Sequence, residues 1–261
     1  MSRVIARSRF TSMISAGELP VGSFVMSTDA AATAVLASCG YDFVVIDREH
    51  GPNDIQSTLG HIRTAEANAI VPIVRVLENN PTQIQATLDA GAHGIIVPKV
   101  GSVADAQAAL KASRYQPGGR GMCPAVEGAR WTGSDGWGAH RDGSNDNVIV
   151  IPLIETKAGV DNLEEIAAID GIDFFFFGLA DLSQDIGIDM YADADQLIAI
   201  WDQAVEVVHA HGGYIGAPLG YGFQGGDFGS VESDWNLLKS AASQGILAAR
   251  AAGRRQPVNA G

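Results

Sequence analysis

At 261 residues, with 46% apolar and 18% charged side chains, the chain can bury one large core without disulfides or a structural metal. Its net charge of −13 opposes nucleic acid and anionic membrane surfaces as partners, since both select clustered Lys and Arg. The two cysteines, Cys39 and Cys123, form no CxxC, and no run approaches the ~18 apolar residues of a membrane span.

In chain order, MSRVIARSRF carries three arginines but no apolar stretch follows, so we expect no signal peptide and a cytoplasmic location. Eight β-rich runs then recur: VGSFVM (21–26), FVVID (43–47), PIVRV (72–76), GIIVP (94–98), VIVIPLIE (148–155), DFFFFG (173–178), YIGAP (214–218) and FGSVE (228–232). Their near-continuous apolarity is that of parallel strands covered on both faces. Helical spacing fills the gaps. Ile55, Leu59 and Ile62 follow the turn at Pro52-Asn53-Asp54, and Ile84 and Leu88 follow Pro81, with Gly91 as a stop. Leu197, Trp201, Ala204 and Val208 share one face of a longer helix, and Leu238, Ala242 and Ile246 form a stripe in the last segment. Residues 116–147 are expected to be glycine-rich loop, and GYGFQGGDFG (220–229) leaves little room for a helix. Repeated strand–helix alternation predicts one α/β domain over 1–261. With no GxGxxG after the first strand, a TIM (β/α)₈ barrel is favoured over a doubly wound dinucleotide fold.

In such a barrel the C-terminal strand ends share one face, where catalytic groups gather. The second run ends in Asp47-Arg48-Glu49-His50, the third holds Arg75, and the fourth ends in Pro98-Lys99. The fifth ends in Glu155, and the sixth leads into Gly178-Leu179-Ala180-Asp181. Glu155 and Asp181 at adjacent strand ends suit a hard divalent cation. His50, three residues after Asp47, suits a general base whose imidazole a carboxylate orients. Arg75 inside an apolar strand needs an anion, either a substrate enolate or an internal partner such as Glu49 or Glu155.

The segments IDREHGPND, PIVRV, LDAGAHGIIVPKV, SRYQPGGRG, PLIET and FGLADLSQDIG resemble, in that order, the signature segments of the HpcH/HpaI aldolase family. These are class II, metal-dependent pyruvate aldolases, including 4-hydroxy-2-oxoheptanedioate aldolase and 2-keto-3-deoxy sugar-acid aldolases. The resemblance implies a barrel of the phosphoenolpyruvate/pyruvate-domain type and reversible retro-aldol cleavage of a 4-hydroxy-2-oxo acid to pyruvate, or an analogue such as hydroxypyruvate, and an aldehyde. His50 would be the base, acting through a metal-bound water, with Asp47 and Asp89 orienting it. Arg75 would stabilise the enolate-like transition state. Glu155 and Asp181 would bind Mg²⁺, Mn²⁺, Co²⁺ or Zn²⁺, and the backbone around Gly178, Ala180 and Asp181 would receive the pyruvate carboxylate. A homohexamer, a trimer of dimers exchanging C-terminal helices, is the implied assembly.

Three positions depart from the family pattern. Leu153 stands where a substrate-binding Gln is usual, Leu179 replaces Pro in the G-P-A-D turn, and the segment 218–234, where the family shapes its aldehyde pocket, is short and glycine-rich. Competing readings are an acyl-CoA lyase of the citrate-lyase β type, a decarboxylase or cyclase working through the same enolate, a class I aldolase using Lys99, and a non-catalytic binding barrel.

Overall fold

Strand residues alternate between two faces, and in this chain both faces are buried. The computed structural model describes residues 6–253, so the ends of the domain expected over 1–261 lie outside the described residues. Its strands are β1 (Val21–Val25), β2 (Phe43–Asp47), β3 (Val71–Arg75), β4 (Gly94–Val97), β5 (Ile149–Ile154), β6 (Phe174–Phe177), β7 (Tyr214–Pro218) and β8 (Phe228–Val231). All pair in parallel, each with the next, and β8 closes on β1 to complete an eight-stranded barrel. Every strand coincides within a residue or two with a run expected from sequence.

The helices are α1 (Ala6–Ser15), α2 (Ala31–Ser38), α3 (Ile55–Ala67), α4 (Pro81–Asp89), α5 (Val103–Ser113), α6 (Gly133–Asn147), α7 (Lys157–Asp161), α8 (Leu163–Ala167), α9 (Leu179–Ile186), α10 (Ala194–Ala210) and α11 (Asp234–Ala252). Alternating strand residues divide into two apolar clusters. Val44, Ile46, Val74, Ile95, Val97, Val150, Ile154, Phe175 and Phe177 pack outward beneath the helices. Phe43, Val45, Val71, Ile73, Ile96, Ile149, Ile151, Leu153, Phe174, Phe176 and Phe228 fill the barrel interior, and α1 adds Ala6 and Phe10 to them. Space for the rings comes from glycine: a Cβ on Gly22 would lie 2.2 Å from the Phe43 ring, and one on Gly216 2.6 Å from that of Phe228.

α10 buries Leu197, Trp201, Ala204 and Val208 as its spacing predicts. α4 opens on the Asn80 side chain, which accepts from Thr82 and Gln83 N–H, and it stops before Gly91 at φ +103°. On α3 the buried face is instead Thr58, His61, Ile62 and Ala65, while Ile55 is exposed. The polar members satisfy one another: His61 Nδ1 lies 2.8 Å from Thr33 Oγ1 and its Nε2 2.9 Å from the Ser27 carbonyl. An apolar pattern cannot see that face.

The expectation of loop over 116–147 is corrected for its second half, which is α6. Four glycines there oppose helix formation. Tertiary anchoring overrides them: Trp137 and His140 pack their rings against Tyr115, and Asn145 exchanges hydrogen bonds with the Tyr115 backbone at 2.8 and 3.1 Å. β7 and β8 are joined without a helix, as expected. α11 buries none of its residues, leaving Trp235, Leu238, Ile246 and Leu247 exposed. No helix among the described residues is long and apolar enough to cross a membrane.

Candidate active site

Three inward columns of the barrel run from apolar to charged along the chain direction, Phe43–Val45–Asp47, Val71–Ile73–Arg75 and Ile149–Ile151–Leu153–Glu155, and a fourth, Phe174–Phe176–Gly178, ends in glycine beside them. Parallel pairing brings the polar ends out at one level, and Asp47 and Arg75 are direct register partners. Around them lies a cavity of about 330 Å³, whose walls include Asp47, His50, Arg75, Leu153, Glu155, Gly178, Ala180 and Asp181. The structure therefore gathers every expected site residue except Asp89.

Arg75 is held as a fork. Its Nε and Nη2 donate to the two oxygens of the fully buried Asp47 at 2.9 and 2.6 Å, Nη1 lies 3.3 Å from Glu49, and the guanidinium sits 5.0 Å over the Phe24 ring. Burial opposes its charge, but the hydrogen bonds and charges of Asp47, with Glu49 and Glu155 beyond, outweigh burial and raise its pKa. The internal partner that sequence left open is thus Asp47, with Glu49 beside it. The guanidinium faces the cavity already oriented and needs no rearrangement to meet a developing anion.

This corrects the role expected for Asp47. Its carboxylate takes the Arg75 fork and the backbone N–H groups of Glu49 and His50 at 3.0 and 3.3 Å; it orients the loop and the arginine rather than the imidazole. The His50 ring is more than half exposed, and its Nε2 lies 3.9 Å from Glu49. Asn53, buried, ties the same loop down by donating to the carbonyls of Val25 and Asp47. Asp89 is corrected too. At the end of α4, its carboxylate accepts from Arg120 at 3.1 and 2.5 Å, so within this chain it braces the 116–132 loop instead of His50.

Glu155 is 1% exposed, and Lys99 N–H donates to it at 2.7 Å. Lys99 adopts φ +55°, a left-handed conformation unusual for a residue with a Cβ, and that turn aims its amide at the carboxylate. Burial pushes Glu155 up to about 7; the Lys99 amide opposes this, and the neighbouring charges of Glu49 and Asp181 add to it. Gly178 is required by the same side chain, because a Cβ there would lie 2.7 Å from that of Glu155. The Gly178 N–H is spent on the Ile154 carbonyl at 2.9 Å. The first-turn amides of α9, at Leu179, Ala180 and Asp181, have no partner within their helix, and these residues line the cavity wall, a position whose dipole suits an anion.

Among the described residues no group of three or more His, Cys, Asp or Glu converges as a metal site. The candidate is therefore the carboxylate pair Glu155 and Asp181, which suits a cation that takes one or two protein carboxylates and fills its remaining positions with water and substrate oxygens. Lys99 does not suit a Schiff base: its side chain is two-thirds exposed and its amine lies 3.7 Å from Glu49, whereas such an amine is activated by desolvation or a neighbouring cation. Sequence reasoning underrated Glu49. Its side chain is 8% exposed, one oxygen has no hydrogen-bond donor, and Arg75, Lys99 and His50 surround it. Its only sequence signal was its place in the DREH strand end.

The sequence profile described as HpcH/HpaI aldolase/citrate lyase matches residues 21–217. A hydroxypyruvate/pyruvate aldolase of Roseovarius nubinhibens is 37% identical over 179 residues, covering 68% of this chain and 69% of that protein. A 2-keto-3-deoxy-L-rhamnonate aldolase of Escherichia coli is 32% identical over 205 residues, 78% of this chain and 76% of that one. Among solved structures, an HpcH/HpaI aldolase/citrate lyase family protein from Burkholderia cenocepacia superposes with a TM-score of 0.84 at 27% identity, covering 93% of this chain and 99% of the other. The barrel, the ordered motifs and these likenesses together place the chain in the HpcH/HpaI aldolase/citrate lyase family.

Proposed function

We propose that this chain is a class II aldolase that reversibly cleaves a 4-hydroxy-2-oxo acid into pyruvate, or a close analogue such as hydroxypyruvate, and an aldehyde. The observation that carries the reading is Glu155, a buried carboxylate pushed up to about 7 at a strand end, with Asp181 and Glu49 adding to its charge burden. Such a concentration of acid in a largely apolar cavity calls for a compensating cation. Glu155 and Asp181 would hold a divalent ion, which when bound would polarise the 2-oxo group.

The remaining steps fall to this chain's own groups. The first-turn amides of α9 receive the substrate carboxylate. His50, exposed at the cavity rim, takes the proton from the 4-hydroxyl as the C3–C4 bond breaks and then returns a proton to C3 to complete pyruvate, and near-neutral pH suits an imidazole for that work. Arg75, fixed by Asp47, faces the enolate oxygen. Phe24, Leu153 and Phe176 form an apolar floor that keeps bulk water from the carbanionic C3.

Arg75 is the one Lys or Arg among the described lining residues, and Asp47 and Glu49 already engage it. That leaves no unpaired Lys or Arg in the described lining to grip the phosphates of an acyl-CoA, which argues against the citrate-lyase β reading. The exposed apolar residues of α11 support a homo-oligomer in which this helix is exchanged, a hexamer in the expected form. The test is deuterium exchange at C3 of pyruvate, followed by NMR before and after chelation. Exchange that requires Mg²⁺ or Mn²⁺ supports the proposal, and exchange undiminished by complete chelation removes the metal from it.

A further inference from the structure

Beside the charged cavity lies a second, smaller one of about 210 Å³, lined by Leu179, Met190, Ala194, Leu197, Tyr221 and Phe223 among others. Leu179, Met190 and Tyr221 are common to both linings. Leu179 is also the first residue of α9, next to the Gly178 that Glu155 packs against, so the side cavity begins beside the reaction site. Met190, unbranched and half-buried, can rotate to join the two volumes.

The walls are firm despite the glycines of the β7–β8 loop. Phe223 stacks on Trp201 at 5.1 Å and meets Phe177 edge-on at 5.7 Å. Trp201 Nε1–H donates to the Gln224 carbonyl at 2.7 Å, and Gly222, at φ +86°, runs so close to α10 that a Cβ would lie 3.4 Å from Ile198. The loop lies against α10. A preformed apolar pocket of this kind binds without first ordering its walls.

Its chemistry is one-sided. Among the described residues its lining holds no Asp, Glu, Lys, Arg or His, and the tyrosine hydroxyls are its only polar side-chain groups. Beside Asp181, which the dication would engage, the main-cavity lining carries Glu232, and Arg75 is already paired. A carboxylate-bearing aldehyde would meet Glu232 and no free Lys or Arg of that lining, and a polyhydroxy aldehyde would lose water for few side-chain hydrogen bonds.

We propose that the aldehyde partner carries an apolar alkyl or aryl tail, which the side cavity between α9, α10 and the β7–β8 loop receives. The inference rests on the aldolase reading of the charged cluster and names its substrate class. In the synthetic direction the bond forms between C3 of the 2-oxo acid and the aldehyde carbon. The proton lost from C3 is returned to the new C4 hydroxyl, so no further reactant is consumed.

The test offers pyruvate and Mg²⁺ to the full-length protein with acetaldehyde, butanal, hexanal, glycolaldehyde and succinic semialdehyde. We expect kcat/KM to rise about threefold to fourfold per methylene along the alkyl series. Hexanal should exceed both polar aldehydes by at least about tenfold. Ala194→Phe fills the side cavity and should cut the hexanal-to-acetaldehyde ratio about tenfold. Ala194→Leu should fall between, which keeps the test readable if the larger ring prevents folding. A flat or falling alkyl series, hexanal left unturned, or a ratio unmoved by either variant overturns the side cavity. C3 exchange of pyruvate in the wild type separates the two claims: exchange with a flat series sinks the tail subsite alone, and no exchange sinks the aldolase reading beneath it.

Discussion

The two ends of the barrel are made by the same strands and do opposite work. At the N-terminal end, Phe10 from α1 closes the interior against Phe43, Phe174 and Phe228, with ring centroids 5.2 to 6.1 Å apart. At the C-terminal end, one to three pleats further along, the inward positions become Asp47, Arg75, Glu155 and Gly178. The first end gains stability from burial and close packing. The second buries a carboxylate and sets other acids beside it at a cost to stability, which shows in Glu155 being driven up to about 7, first by burial and then by Glu49 and Asp181. Substitutions at the two ends should accordingly separate folding from chemistry.

The sharpest separation comes from Glu155→Gln. Turnover should fall by at least on the order of 10³-fold, because a divalent cation loses a ligand beside the reacting carbonyl. Unfolding in urea at pH 8, with chelator present, should show a variant no less stable than wild type. The converse is Phe10→Ala, which should cost about 3–5 kcal/mol of stability by leaving a cavity beneath the rings of three strands. Per folded molecule, its C3 exchange rate should stay near wild type, and a selective loss of exchange would break the contrast between the ends.

A smaller effect is expected from His50→Ala. Aldol cleavage should slow about a hundredfold through loss of the base. The ring is more than half exposed and Glu49 keeps Arg75 and Lys99 beside it, so stability should stay within about 0.5 kcal/mol. The smallest signal is in pH. Between the ordinary carboxyl value of 4.5 and about 7, the folded chelated protein keeps a proton on Glu155 that the unfolded chain has released. Stability contributed by that proton therefore falls as pH rises through this window. Urea midpoints at pH 5 and pH 8 should drop more steeply for wild type than for Glu155→Gln, and parallel curves would contradict the assignment.

The strands were legible because both faces of each are buried, so β-rich runs stood out against helical spacing. The polar strand ends were legible for the same reason: a charge closing such a run has few places to point. What escaped the sequence was pairing at a distance. Asp89 belongs to Arg120, 31 residues on, in a loop with no periodicity to place it. Asp47 belongs to Arg75, which follows only once the β2–β3 register is known. α6 escaped because its glycines deny it local propensity and Tyr115 supplies its anchor from outside. The side cavity escaped because Met190 and Tyr221 have no signature until α9, α10 and the β7–β8 loop are set side by side.

The central claim is that Glu155 and Asp181 jointly grip one dication. Titrating Mn²⁺ into metal-free protein, with the free ion followed by electron paramagnetic resonance, addresses it without any reaction. One site per chain in the wild type, weakened strongly in both Glu155→Gln and Asp181→Asn, is the result we expect. Binding left at wild-type strength in either variant would mean that the ion sits elsewhere and that the charged end of the barrel has been misread.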